Sequence, residues 1–190
     1  VTGGTTPNSS SPRSELRELL DGQSNGVNWT GYGTHILSAQ CEVNQVPSTG
    51  KVIIGQIHSY TGNASPLVKL TYNAGAIYAL VKDSPNSSSE TRFDFPDVGL
   101  NSTINYEIKV MDGLVAMTVN GAVLTVNVFQ TDPAWKNQTF YFEAGSYCQD
   151  NSGSSSEGSR VSFYQLAVSH STSGTTAPAI ASQPVSQTVN

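Results

Sequence analysis

The chain has 190 residues, a formal net charge of −5 and only 12% charged residues. That length suits one domain with a sizeable core, and the acidic balance speaks against a general binder of nucleic acid or anionic membrane, which needs a basic field. No apolar run approaches the roughly 18 residues of a membrane-spanning helix, and a polar share made of Ser, Thr, Asn and Gly favours short strands with polar turns over long surface helices.

Residues 1–12 form a turn-rich opening. From Arg13 the pattern alternates, although the helix formers of Glu15 to Leu20 also suit a short helical patch. Val27 to Gly33 reads as a loop carrying Trp29 and Tyr32. His35 to Val46 alternates, with Leu37, Ala39, Cys41 and Val43 on one face, and Pro47 to Gly50 turns the chain. Lys51 to His58 is a strand rich in Val and Ile, and Thr61 to Pro66 is a loop. Leu67 to Tyr72 and Ala76 to Lys82 flank Asn73-Ala74-Gly75, a hairpin signal, and Asp83 to Glu90 is a polar loop. Asn105 to Met111, Leu114 to Val119 and Ala122 to Val128 form a meander turned at Asp112-Gly113 and Asn120-Gly121, dipeptides that supply the positive φ of tight hairpins. Thr139 to Gln149 is a strand, Asp150 to Ser159 a Ser/Gly loop, and Arg160 to His170 the last strand. About ten short strands with turn signals about every 8–12 residues predict an all-β domain over 1–170, a sandwich, jelly roll or barrel. Residues 171–190, dominated by Ser, Thr, Ala and Pro, read as a linker, and Ile180 to Val189 resembles the opening of bacterial immunoglobulin-like modules.

Cys41 and Cys148 suit equally one disulfide or two buried thiols, and neither has the spacing of a zinc site. Sequons at Asn8, Asn28, Asn63, Asn86, Asn101 and Asn137 fit an extracellular setting.

Residues two apart on a strand share a face. Three segments crowd one face with chemistry-bearing groups: Arg13, Glu15 and Arg17; Gln56 and His58; and Tyr141, Glu143, Gly145, Tyr147 and Gln149, with Phe140, Phe142, Ala144 and Cys148 opposite. Alternation sends Ile54 and Ile57 to different faces. A solvated face would carry Thr, Ser and Lys, whereas these carry the inventory for hydrogen bonding and proton transfer. Each set alone has a structural explanation, as an ion-pair row, a structural histidine or a packing tyrosine. Their coincidence in one small domain argues for a site.

At these residues the chain resembles polysaccharide lyase family 7, the alginate lyases. Arg13-Ser14-Glu15-Leu16-Arg17-Glu18 matches the family's Arg-Ser/Thr-Glu-Leu-Arg-Glu motif, Gln56-Ile57-His58 its Gln-Ile/Val-His motif, and Tyr141 to Gln149 its Tyr-Phe-Lys-Ala-Gly-x-Tyr-x-Gln motif, with Glu143 where the family usually has lysine. The resemblance covers residues 5–170 and implies a β-jelly roll, two curved antiparallel sheets with an acidic polysaccharide across the concave one. It implies β-elimination on a 4-linked polyuronate, in which Arg13 and Gln56, with Arg17 nearby, neutralise the sugar carboxylate. Tyr147 protonates the leaving oxygen, and His58 or Tyr147 takes the C5 proton. Glu15 orients Arg13 and Arg17, while Lys69, Tyr141, Glu143 and Gln149 are candidates for substrate contact. The resemblance implies no metal or organic cofactor, a secreted enzyme and a monomer, with no nucleic-acid or membrane partner. Family members usually carry a further N-terminal strand, so an open sheet edge is expected here. A lyase for another polyuronate such as glucuronan, a non-catalytic carbohydrate-binding sandwich and an adhesive sandwich stay open at this point.

Overall fold

The strands of this chain are short, alternating and separated by turn residues, and in the computed structural model they assemble into two antiparallel sheets. Residues 11–22, 28–59, 66–152, 154 and 156–172 are described. Residues 1–10 of the expected opening at 1–12, most of the expected loop at 61–66 and residues 173–190 of the expected linker at 171–190 lie outside them, as do Asn8 and Asn63. In chain order the elements are β1 (Arg13–Arg17), β2 (Trp29–Thr30), β3 (Thr34–Gln45), β4 (Lys51–Ser59), β5 (Val68–Asn73), β6 (Ala76–Lys82), β7 (Glu90–Phe95), β8 (Thr103–Met111), β9 (Leu114–Val119), β10 (Ala122–Asn127), α1 (Val128–Thr131), β11 (Thr139–Cys148) and β12 (Arg160–Ser171). One sheet runs β1-β11-β4-β5-β6-β7 with β2 also beside β11, and the other runs β10-β9-β8-β3-β12. This is the expected two-sheet jelly-roll sandwich, with β1 at the end of its sheet among the described residues.

The core lies between the sheets and follows the period of two. Leu37, Ala39, Cys41 and Val43 of β3 face Ile104, Tyr106, Ile108 and Val110 of β8 within one layer, and Phe140 and Phe142 of β11 with Leu70 and Tyr72 of β5 close the other. Tyr106 satisfies its buried hydroxyl by donating to the Ile54 carbonyl of the opposite sheet at 2.9 Å.

Several sequence expectations need correction. Glu15 to Leu20 is not helical, because Arg13–Arg17 pairs with β11 as a strand. Val27 to Gly33 contains the two-residue strand β2. The polar stretch ending at Glu90 leads into β7, whose Phe93 and Phe95 pack on the core. Val128 ends no strand but starts α1, capped by the Asn127 side chain, and a 3-10 turn follows at Pro133–Asn137. Cys41 and Cys148 are both free and buried, in different sheets. Burial pushes the Cys41 thiol up to about 12, so it is an inert core group.

The most consequential correction concerns β4. Ile54 and Ile57 both enter the core, although alternation assigns them to opposite faces. Ile53 pairs with Thr71 and Gly55 with Leu70, so β4 holds one extra residue opposite β5. A bulge at this point resets the phase of the strand. Gly55 is required there, since a Cβ would stand 2.9 Å from the Tyr106 hydroxyl oxygen. The reset leaves Gln56 and His58 on the face away from the core.

Candidate active site

β1, β11, β4 and β5 lie side by side, and their registers bring the three polar faces together. Arg13 lies opposite Tyr147, Arg17 opposite Glu143, Glu143 opposite Gln56, Tyr141 opposite His58, and Gln56 opposite Lys69. Ten residues singled out from sequence are Arg13, Glu15, Arg17, Gln56, His58, Lys69, Tyr141, Glu143, Tyr147 and Gln149. The first nine sit on this one face of the larger sheet. Gln149 lies one residue past β11, its backbone N–H on the Lys51 carbonyl at 3.0 Å, and its buried amide nitrogen has no hydrogen-bond partner among the described residues.

The arginines stack on the tyrosines. The Arg13 guanidinium carbon is 3.9 Å from the centroid of the Tyr147 ring, and that of Arg17 is 3.7 Å from the centroid of Tyr141. Such contacts hold the long side chains in one orientation while leaving N–H groups for an anion. Arg13 also stands 3.6 Å from Glu15. Lys69 is bound to Glu90 at 2.7 Å, so it enters the cleft as half of an ion pair rather than as a lone cation.

Gln56 is wholly buried at the centre. Its amide nitrogen donates to Glu15 at 2.7 Å and to Glu143 at 3.1 Å, so both amide hydrogens are committed, while its oxygen has no hydrogen-bond partner among the described residues. Burial, reinforced by the charge of Glu143, raises the Glu15 carboxyl from 4.5 to about 7, against the opposing pull of Gln56 and Arg13. At neutral pH this cluster therefore retains part of a proton.

The native state holds the extra proton where the unfolded chain has lost it, so the contribution is complete below about pH 4.5 and is lost as pH rises through about 7. Glu15→Gln is expected to flatten this slope. In urea unfolding, the parent should lose on the order of 3 kcal/mol relative to the variant across that window.

His58 has a defined tautomer. Its Nδ1 lies 2.8 Å from the Ser59 carbonyl, which can only accept, so Nδ1 carries the proton and Nε2 keeps the ring's lone pair. The Tyr141 hydroxyl stands 3.0 Å from the same Nδ1, and the two rings stack. Burial, aided by Arg13 and Arg17, lowers the pKa of His58 against the pull of Glu143 and the Ser59 carbonyl. The ring is thus neutral near neutral pH and fit to act as a base.

β1 is held close to β11 by Gly145. A Cβ on this residue would stand 2.2 Å from the Ser14 carbonyl oxygen and 2.6 Å from the Glu15 Cα, both backbone atoms that cannot swing aside. Gly145→Ala is expected to push β1 outwards and lower kcat/KM by about 100-fold, since small displacements of positioning groups carry that cost. Steady-state kinetics beside an unchanged far-ultraviolet spectrum would check it.

Sequence reasoning missed two groups of residues. Arg92 stacks over Tyr78 at 3.8 Å and pairs with Asp94 at 2.6 Å further along the same face. Their signal was the Glu90-Arg92-Asp94 alternation, obscured by the polar loop before it. Glu18 and His170 form the second group, joined across the sandwich behind β1.

A family model described as alginate lyase matches residues 1–170. The family 7 alginate lyase A1-II', in a structure with the substrate GGMG, is 42% identical with a TM-score of 0.84, covering 90% of this chain and 75% of that one. An alginate lyase from Pseudomonas aeruginosa is 41% identical with a TM-score of 0.81, covering 87% of this chain and 78% of that one. One from Corynebacterium sp. is 27% identical with a TM-score of 0.70, covering 88% and 72%. Among curated proteins, none matches the chain.

Proposed function

The chain belongs to the family 7 alginate lyases, and from that premise we propose that it cleaves alginate by β-elimination in the cleft formed by β1, β11 and β4. The observation that carries this reading is the placement of Arg13 on Tyr147 in the same strand layer as Gln56 and a neutral His58.

The C5 proton of a uronic acid is weakly acidic, and an ionised carboxylate on C5 makes its removal harder. Arg13 supplies charge-assisted N–H groups to that carboxylate and to the enolate-like state that follows. Gln56 acts with it: a sugar carboxylate entering the cluster takes over an amide hydrogen now held by Glu15 or Glu143. The proton retained by Glu15 limits the repulsion it meets. The base, His58 Nε2 or Tyr147, takes the C5 proton, and the electron pair forms the C4–C5 double bond. The C4–O4 bond breaks, and the Tyr147 hydroxyl protonates the departing oxygen. Arg17 holds Tyr141 against His58, and Lys69 with Glu90 and Gln149 line the neighbouring subsites.

The test is incubation with alginate, its mannuronate-rich and guluronate-rich fractions, and glucuronan, following ultraviolet absorbance from the new double bond. Absorbance growth with alginate is expected. Growth with glucuronan alone would overturn the substrate, and silence with retained binding would point to a carbohydrate-binding module.

A further inference from the structure

Behind the cleft, three titratable side chains remote in sequence form one chain of hydrogen bonds. His35 Nε2 lies 2.7 Å from the Tyr32 carbonyl, His35 Nδ1 lies 2.8 Å from His170 Nδ1, and His170 Nε2 meets Glu18 Oε1. The other Glu18 oxygen accepts from Trp29 Nε1 at 2.9 Å and from the Phe142 backbone N–H at 2.8 Å.

The protons can be counted. The Tyr32 carbonyl only accepts, so His35 Nε2 carries a proton. Burial opposes ionisation of Glu18, but the bonds from His170, Phe142 and Trp29 outweigh it and hold its carboxyl below the ordinary range. Glu18 is therefore an acceptor, and His170 Nε2 also carries a proton. Two Nδ1 atoms at 2.8 Å need one proton between them. With none, two lone pairs face each other, and with two, the N–H groups collide. Three protons on four ring nitrogens give the pair a single positive charge, opposite the Glu18 carboxylate. Burial, with the charge of His170, lowers the pKa of His35 against the pull of the Tyr32 carbonyl, Glu18 and Asp112, so His35 is the neutral ring of the pair; Asp112 is itself engaged by the Gly33 N–H at 2.9 Å.

We propose that Glu18 is a positioning residue for the cleft arginines, clamped by a histidine pair, His170 and His35, that shares a single proton. The geometry gives the clamp its purpose. β1 has five residues, one paired neighbour among the described residues and an exposed Leu16, so few of the described contacts hold it. Glu18 follows Arg17 directly and fixes the end of β1 through two bonds to Phe142, its own N–H donating to the Phe142 carbonyl at 2.9 Å. Tyr141 and Glu143 flank that residue. When the pair loses its shared proton as pH rises, the Nδ1 contact turns repulsive and the clamp on β1 loosens.

The kinetic arm of the test rests on the lyase reading; the spectroscopic arm does not. In the intact chain with nitrogen-15-labelled histidine, one protonated and one bare Nδ1 coupled through a hydrogen bond are expected, the coupling vanishing as pH rises. Two bare Nδ1 atoms throughout the active pH range would overturn the proposal. Glu18→Gln should lower kcat/KM on alginate about 10-fold to 100-fold, mainly through KM. His170→Gln, or His35→Gln should the first fail to fold, should remove the alkaline limb of kcat/KM that tracks the lost coupling. An unmoved alkaline limb in a folded variant would leave only a packing role and overturn the clamp.

Discussion

Tyr147→Phe is expected to abolish formation of unsaturated product while leaving the fold intact. The substitution removes one oxygen and keeps the ring on which the Arg13 guanidinium rests, 3.9 Å from its centroid. β11 keeps its register with β1 and β4, because those pairings run through the backbone. What disappears is the group proposed to protonate the leaving O4. Loss of a positioned general acid costs about 10²–10⁴-fold, and the upper part of that range is expected, since the same side chain is also a proposed base for the C5 proton. The checks are the ultraviolet assay and a thermal unfolding curve matching the parent. Retained activity would remove Tyr147 from the mechanism.

Gln56→Leu should combine two losses. The side chain is wholly buried and bridges Glu15 and Glu143 through one nitrogen. Leucine fills much of the space but leaves two neighbouring carboxylates without their common donor. Hydrogen bonds to charged groups contribute about 1.5–3 kcal/mol each, and the relaxed acids will take up protons, so a net loss of about 3 kcal/mol is expected near neutral pH, smaller in acid. Activity should fall by about 10²–10³-fold, the scale of removing one donor to a developing anion. The two effects separate by measuring kcat/KM well below the melting temperature of the variant, where it is fully folded.

The period of two made the polar faces of β1, β4 and β11 legible, because Arg13, Glu15 and Arg17, or Tyr141, Glu143 and Tyr147, share a face whatever the strand pairs with. Their adjacency was not legible from alternation. β1 and β11 come from opposite ends of the chain, and only the motif resemblance placed them in one groove. The bulge in β4 was hidden for a related reason. Ile53 to Ile57 is apolar apart from Gly55 and Gln56, so its phase slip becomes visible only when Ile53 and Gly55 are matched to consecutive residues of β5. β7 was lost because the serine run before it outweighed a six-residue alternation. Nor could the sequence pair Glu18 with His170, 152 residues apart, although Glu18 closes the first motif. Glu143 shows where a motif departure acquires meaning. It does not stand loose in the cleft, but shares the Gln56 amide with Glu15 and helps raise the latter's pKa.

Elimination and hydrolysis leave different ends on the cleaved polymer. The most direct measurement is mass spectrometry of the products formed from alginate in heavy-oxygen water. Oligouronates one water lighter than hydrolysis products are expected, with a C4–C5 double bond at the non-reducing end and no heavy oxygen gained in the cleavage. Saturated ends bearing heavy oxygen would contradict elimination.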